Sequence, residues 1–193
     1  MYFELGFGRA VTLSDPHSTA EFVKFARSDV GAPELALVQG QIDRVDVSHD
    51  GKTAIAYDYK LSKGARLEDI ESGREVQLPI YLAALEQLFL PSFELAGGGY
   101  YTLRAKGARL NQGLYRAMLA DCTAISPQAH KSKLTDDEWQ RIRKRVAEHI
   151  WDFIDGMRGG HFPVKPALGK TTCKFCDYSA VCRYDTYRIS RKK

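Results

Sequence analysis

Apolar and polar residues alternate along residues 35–48 and again along 53–61, with the turn-forming pair Asp50-Gly51 between the two runs. A period of two sends successive side chains to opposite faces of a strand. Asp-Gly between two such runs predicts a β-hairpin, and Gly40 predicts a bend in its first strand. Residues 76–89 have helical apolar spacing, with Pro79 in the first turn, where proline is tolerated, and Pro91 closing the helix. Thr135-x-x-Glu138 is a capping box. Trp139, Ile142, Val146, Ile150, Phe153 and Ile154 then make one apolar stripe, which predicts a long helix over 135–157 ended by Gly159-Gly160.

Three further segments are less regular. Residues 18–28 predict a short helix, capped by Ser18, with Phe22, Val23, Phe25 and Ala26 as its apolar side and a break at 31–33. Residues 62–73 read as a polar connection. Gly97-Gly98-Gly99 leads into a short aromatic strand over 100–104, and 106–133 carries no clear period. Strands and helices intermixed in this way predict an α/β fold, a central mixed sheet flanked by helices.

The hairpin is unusual in its charges. Asp58 and Lys60 are two apart, so they share one strand face, with Tyr57 and Tyr59 on the other. In the first strand Asp43 goes with Gln41, Val45 and Val47, opposite Arg44 and Asp46. Asp43 is therefore the better partner for Asp58, although the sequence leaves the cross-strand register open. Two carboxylates held close repel unless a cation lies between them. Oxygen ligands of this kind suit Mg²⁺, which typically takes one or two carboxylates and completes its shell with water and phosphate. Lys60 on the same face could orient a water or neutralise phosphate, which is the chemistry of metal-assisted phosphodiester hydrolysis. The plainer alternative is an ion-pair hairpin, with Asp58 bridged to Lys60 or Arg44, and spacing alone does not choose between them.

Three segments together carry more information: Gly40-Gln-Ile-Asp43-Arg-Val-Asp46, Asp58-Tyr59-Lys60 and Gln77-Leu-Pro-Ile-Tyr81. In order and spacing they resemble successive motifs of the RecB-like branch of the PD-(D/E)XK nuclease superfamily, and most nearly those of the C-terminal nuclease domain of AddB-type subunits of bacterial AddAB helicase–nucleases. The resemblance spans residues 3–185. It implies a restriction-endonuclease-like core in which Asp43, Asp58 and the backbone carbonyl of Tyr59 bind Mg²⁺ or Mn²⁺ and Lys60 is the catalytic lysine. Gln77 and Tyr81, four apart and so on one helix face, would point at the same site. The family often has a further upstream His or Glu ligand, for which Glu4 and His17 are the candidates here. His17, in Ser-Asp-Pro-His-Ser, also reads as a surface turn residue.

Four cysteines are present, Cys122, Cys173, Cys176 and Cys182, and the last three form C-x2-C-x5-C. Thiolates so spaced can converge on one metal centre, and both zinc and iron–sulfur clusters accept them, normally with four ligands. The resemblance implies a [4Fe–4S] cluster that staples the two ends of the nuclease domain, its fourth cysteine preceding the nuclease motifs. No cysteine precedes Cys122, and Cys122 itself follows the motifs. The expectation is therefore a nuclease core over 1–165, a cysteine segment over 166–193, and a fourth ligand outside this chain, which would then be a fragment of a longer helicase–nuclease.

Composition adds limits rather than identity. The 193 residues suffice for one domain with a substantial core, and there is neither an apolar run of bilayer length nor a signal-peptide pattern, so a cytoplasmic protein is expected; the resemblance implies a bacterial, nucleoid-associated one. Net charge is +4, mildly favourable to nucleic acid, and unevenly spread: six Lys/Arg lie in 131–145 and five in 183–193. Lys131, Lys133, Arg141 and Arg143 could line a DNA path or simply form a solvated face. The expected function is a metal-dependent exonuclease-type deoxyribonuclease for double-strand break repair. The resemblance implies that a helicase feeds it a single-stranded DNA end and that an AddA-like subunit is its partner. Two alternatives stand beside it: a stand-alone Cas-type exonuclease with an iron–sulfur cluster, and a non-catalytic DNA-binding scaffold.

Overall fold

The computed structural model describes residues 1–8, 15–28, 31–61, 63–103, 109–117 and 133–163, together with Cys173, residues 176–178 and Cys182. The chain divides into two compact units, Met1–Trp151 and Asp152–Lys193. No helix among the described residues is long and apolar enough to cross a membrane.

The first unit is built on a mixed six-stranded sheet. Its strands are β1 (Tyr2–Phe7), β4 (Gly40–Val47), β5 (Thr53–Lys60), β6 (Glu94–Thr102), β7 (Arg109–Arg116) and β8 (Lys133–Leu134), adjacent in that order. The β1–β4, β4–β5 and β6–β7 pairs are antiparallel, whereas β5–β6 and β7–β8 are parallel. Two further strands, β2 (Val23–Arg27) and β3 (Glu34–Val38), form a separate antiparallel ribbon. A parallel pair needs a crossover. The β5-to-β6 crossover carries α1 (Leu67–Glu71) and α2 (Gln77–Ala84), the latter continued by a π-helical turn over Leu85–Phe89. α3 (Asp136–Arg158) is the long helix that follows β8. The expected mixed sheet flanked by helices is present.

The hairpin and α3 form as their sequences predict. In the β4–β5 turn, the Ser48 hydroxyl accepts the Lys52 and Thr53 amides while Gly51 takes a φ of 68°. At the start of α3 the Glu138 carboxylate accepts the Thr135 amide and the Thr135 hydroxyl accepts the Glu138 amide, the reciprocal pair of a capping box. Trp139, Ile142, Val146, Ile150 and Trp151 are its buried stripe, while Phe153 is exposed.

Five expectations change. Residues 23–27 form a strand, because Val23 and Phe25 face inward at period two and pair with Val38 and Ala36. The strand expected over 35–48 is two strands in different sheets, separated at Gln39. The polar connection contains α1, and β7 lies in the stretch without a clear period. The three glycines are not a lead-in but the middle of β6, for a packing reason. A Cβ on Gly98 would stand 2.6 Å from Leu78 Cδ1 of α2, and one on Gly99 would stand 2.1 Å from the Tyr115 hydroxyl on the opposite face. Glycine lets α2 sit directly on the sheet, with Leu78 fully buried there.

Candidate active site

β5 runs through the middle of the sheet, and Ala54, Ile55, Ala56, Tyr57 and Asp58 are all buried along it. Asp58 is a carboxylate only 2% exposed in this apolar strand. The β4–β5 register, Val47↔Ala54 through Arg44↔Tyr57, puts Asp43 level with Asp58 one step further along. Residues directly opposed in an antiparallel pair share a face, so Asp43 and Asp58 point the same way. The ladder ends at Arg44↔Tyr57, and the Asp43 carboxylate takes over: its Oδ2 accepts the Tyr59 amide at 2.7 Å. The first strand of the hairpin thus reaches the second through a side chain at the place where the acids meet.

Lys60 joins this group. Its Nζ lies 2.7 Å from Asp58 Oδ2, an ion pair without aligned hydrogen-bond geometry, so that oxygen is buried without a directional donor. The ammonium donates instead to Gln77 Oε1 at 2.9 Å, and Gln77 Nε2 donates to the Tyr81 hydroxyl at 2.7 Å. The i, i+4 spacing on α2 therefore forms a chain that ends on the lysine. The ammonium also lies 5.8 Å from the centre of the Tyr100 ring, within cation–π range. Tyr100 is the β6 partner of Asp58, fully buried, with no hydrogen-bond partner for its hydroxyl among the described residues.

The electrostatics follow from this burial. Desolvation pushes the Asp58 carboxyl above its usual range; Lys60 counters it, and the neighbouring Asp43 and Glu75 charges reinforce it. The Tyr81 phenol is pushed up to about 12, chiefly by burial, and stays protonated at neutral pH. Glu75 is a carboxylate that motif spacing does not single out. It lies two residues before Gln77 and accepts the Gln77 amide at 2.9 Å.

Asp43, Asp58, Lys60, Gln77 and Tyr81 thus converge on one face of the sheet, with the Tyr59 amide tied to Asp43. Asp46 lies on the opposite face, held by a two-point contact to Arg44 at 2.8 and 2.7 Å. Glu4 stands level with Asp43 in the β1–β4 register but has a left-handed backbone, φ 53°, and its carboxylate accepts the Gln41 side-chain amide at 2.8 Å. His17 is exposed in a turn, paired to Asp15 at 2.6 Å and edge-on to Tyr2. Among the described residues, no group of three or more His, Cys, Asp or Glu is gathered closely enough to hold a metal ion. Cys173, Cys176 and Cys182 form no disulfide among the described residues, and Cys176 is exposed. Cys122 and Lys131 lie outside the described residues. Arg141 is bound to Glu71 and Arg143 to Glu86 on the surface of α3.

The two carboxylates nevertheless suit a divalent cation. A buried acid oxygen without an aligned donor, beside a second carboxylate, is a donor set that a hard cation satisfies.

Comparison with known proteins identifies relatives of the chain. The chain is 27% identical to the B-type subunit of the ATP-dependent helicase/deoxyribonuclease of Thermoanaerobacter sp. (strain X514) over 198 residues, 79% of this chain and 17% of that protein. It is 29% identical to the protein of the same name from Clostridium tetani, over 82% of this chain and 18% of that protein. The protein of that name from Alkaliphilus metalliredigens is 23% identical over 79% of this chain. The chain thus spans less than a fifth of the length of these curated relatives. A family model described as the PD-(D/E)XK nuclease superfamily matches residues 2–183, and the chain belongs to that superfamily.

Proposed function

We propose that this chain is the Mg²⁺-dependent deoxyribonuclease domain of a longer helicase–nuclease that processes broken DNA ends. The observation that carries the reading is the Lys60 ammonium held between buried Asp58 and Gln77, on the face that Asp43 shares. Asp43, Asp58 and the Tyr59 carbonyl are the groups that would hold the ion. When bound, the ion supplies a more acidic water and neutralises charge on the scissile phosphate.

The remaining work falls to the chain's own residues. Lys60 presents a cation to the charge that develops on phosphate, and preorganised charge of this kind acts most strongly where water is excluded. Gln77 restricts the lysine to one position. The Lys60 ammonium, which can only donate, fixes Oε1 as the end of the Gln77 amide that faces it, and the Tyr81 hydroxyl accepts from the other end. The Tyr59 amide holds Asp43 in place.

The names of the relatives support a helicase–nuclease context, with an AddA-like subunit as partner and a single-stranded end as substrate. The functional division we propose is a nuclease core over 1–165 and a cysteine segment over 166–193. Cys173, Cys176 and Cys182 supply three of the four thiolates of a [4Fe–4S] cluster. The fourth would come from elsewhere in the longer protein, and the cluster is a staple through which no catalytic step runs. Glu4 and His17 stay outside the proposed ligand set, because each is engaged with another side chain. A non-catalytic scaffold is disfavoured by the retention of Asp43, Asp58, Lys60 and Gln77 together.

Calorimetric titration with Mg²⁺ or Mn²⁺ tests the ion site. Binding that disappears in Asp43→Asn and Asp58→Asn supports the reading; equal binding in all three proteins refutes it.

A further inference from the structure

We infer that Glu75 is a positioning residue for the reaction, acting on Lys60 through Gln77. This rests on the function proposed above and concerns a residue outside all three motifs.

α2 begins at Gln77, and the first amides of a helix have no partner within it. Val76 is the residue in the capping position, and it has no side chain that can accept a hydrogen bond. Glu75 performs that task from one residue upstream: its Oε1 accepts the Gln77 amide at 2.9 Å. Its own amide donates to the Asp69 carbonyl at 3.1 Å, so Glu75 is tied back to α1. The same Gln77 whose backbone is held in this way accepts the Lys60 ammonium through Oε1 and donates to Tyr81 through Nε2. Three contacts therefore set Gln77, one on its main chain and two on its side-chain amide. The main-chain contact comes from a carboxylate.

A carboxylate at a helix N-terminus is also well placed against the helix dipole. Its negative charge is felt by the buried groups of the site: Asp58, Tyr81 and Tyr100 are each pushed upward in part by Glu75. Glu75 does not join Asp43 and Asp58 in a three-carboxylate metal group among the described residues. Its influence on the chemistry then runs through the lysine. A simple cap would matter only for stability. A positioning residue matters for turnover as well, because small misplacements of a catalytic group are costly.

The experiment uses the purified chain, with Glu75→Ala, Glu75→Gln and Thr135→Ala. The last variant removes the capping hydroxyl of α3, away from the site, and controls for reduced stability. For Glu75→Ala the expected result is a fall in kcat of roughly tenfold with little change in KM and unchanged divalent-ion binding. Glu75→Gln keeps an acceptor and recovers most of the loss, and Thr135→Ala keeps full turnover at a similarly lowered Tm. Equal turnover in Glu75→Ala and Thr135→Ala would overturn the inference. So would loss of ion binding in Glu75→Ala, which would make Glu75 a ligand. An NMR measurement stands independently of cleavage. The Gln77 side-chain amide signals should shift and broaden in Glu75→Ala and persist in Glu75→Gln; unchanged signals in both variants would overturn the inference even if the chain cleaves no DNA. Absence of metal-dependent cleavage by the wild-type chain would count against the proposed function instead.

Discussion

Asp43 and Tyr59 are joined across the hairpin by a 2.7 Å hydrogen bond from a main-chain amide to a side-chain carboxylate. The bond stands where the β4–β5 pairing ends, so the acid replaces a backbone acceptor at the rim of the site. It ties the orientation of Asp43 to the strand that carries Asp58 and Lys60.

Burial of Asp58 makes the site costly to the fold when no ion is bound. Its carboxyl is raised, first by desolvation, so the folded state holds a proton more tightly than the unfolded chain does. Such a group contributes stability below the unfolded carboxyl pKa of about 3.9 and loses it as pH rises through the folded value. Asp58→Asn is therefore expected to raise the metal-free stability at pH 7 by about 1 kcal/mol, with the gain fading as pH falls through the raised folded value and gone below about 4. Saturating divalent ion should raise the Tm of the wild type and leave that of Asp58→Asn unchanged. Thermal unfolding with and without Mg²⁺ checks both. A lower metal-free Tm for Asp58→Asn at pH 7 would show that the ion pair with Lys60 outweighs the burial cost.

Tyr81 accepts from Gln77 Nε2 and braces the amide whose oxygen holds Lys60. Removing only its hydroxyl, in Tyr81→Phe, keeps the buried ring and deletes one neutral hydrogen bond worth about 1 kcal/mol. Turnover should fall by roughly fivefold, as that energy implies, with the Tm lowered by only about 2–4 °C. Gln77→Leu, which removes the lysine's acceptor itself, should cost more. Steady-state cleavage rates of the two variants give the order, and a Tyr81→Phe defect larger than that of Gln77→Leu would contradict it.

The close approach of α2 to β6 depends on Gly98. Gly98→Ala would place a methyl 2.6 Å from Leu78 Cδ1 and should destabilise the chain by about 1–3 kcal/mol. Trimming the obstacle, in the double variant Gly98→Ala with Leu78→Ala, should cost less than the sum of the single changes. Denaturant unfolding of the four proteins of that cycle measures the coupling; strict additivity would show that the two residues do not compete for space.

Arg141 and Arg143 on α3 are already neutralised by Glu71 and Glu86. Each phosphate that a protein no longer neutralises lowers the salt slope of DNA binding by about 0.9. Arg141→Gln and Arg143→Gln are expected to leave the slope within error of the wild type. A drop near one unit in either would place that arginine on the DNA.

The legible parts of the fold are those whose signals are local. Asp50-Gly51 between two alternating runs and the Thr135–Glu138 capping box need no distant partner to be read. The ribbon strand at 23–27 resembles a helix in sequence, because Phe22, Val23, Phe25 and Ala26 satisfy a helical and an alternating pattern equally well over so short a stretch. The glycines of β6 look like a loop because their reason for being glycine, Leu78 on one face and Tyr115 on the other, is tertiary. In the site, strand alternation places Asp58 with Lys60 and prefers Asp43 to Asp46, but register belongs to the folded pair. Tyr100 and Glu75 carry no motif, and only their spatial closeness to Lys60 and Gln77 brings them into view.

DNA cleavage decides whether the hairpin acids and Lys60 form a nuclease centre. The purified chain, Asp58→Ala and Lys60→Ala would each be incubated with linear single-stranded DNA and Mg²⁺ or Mn²⁺. Metal-dependent cleavage by the wild type, abolished in both variants, is the expected result. Equal cleavage by all three proteins would contradict a nuclease centre at this hairpin.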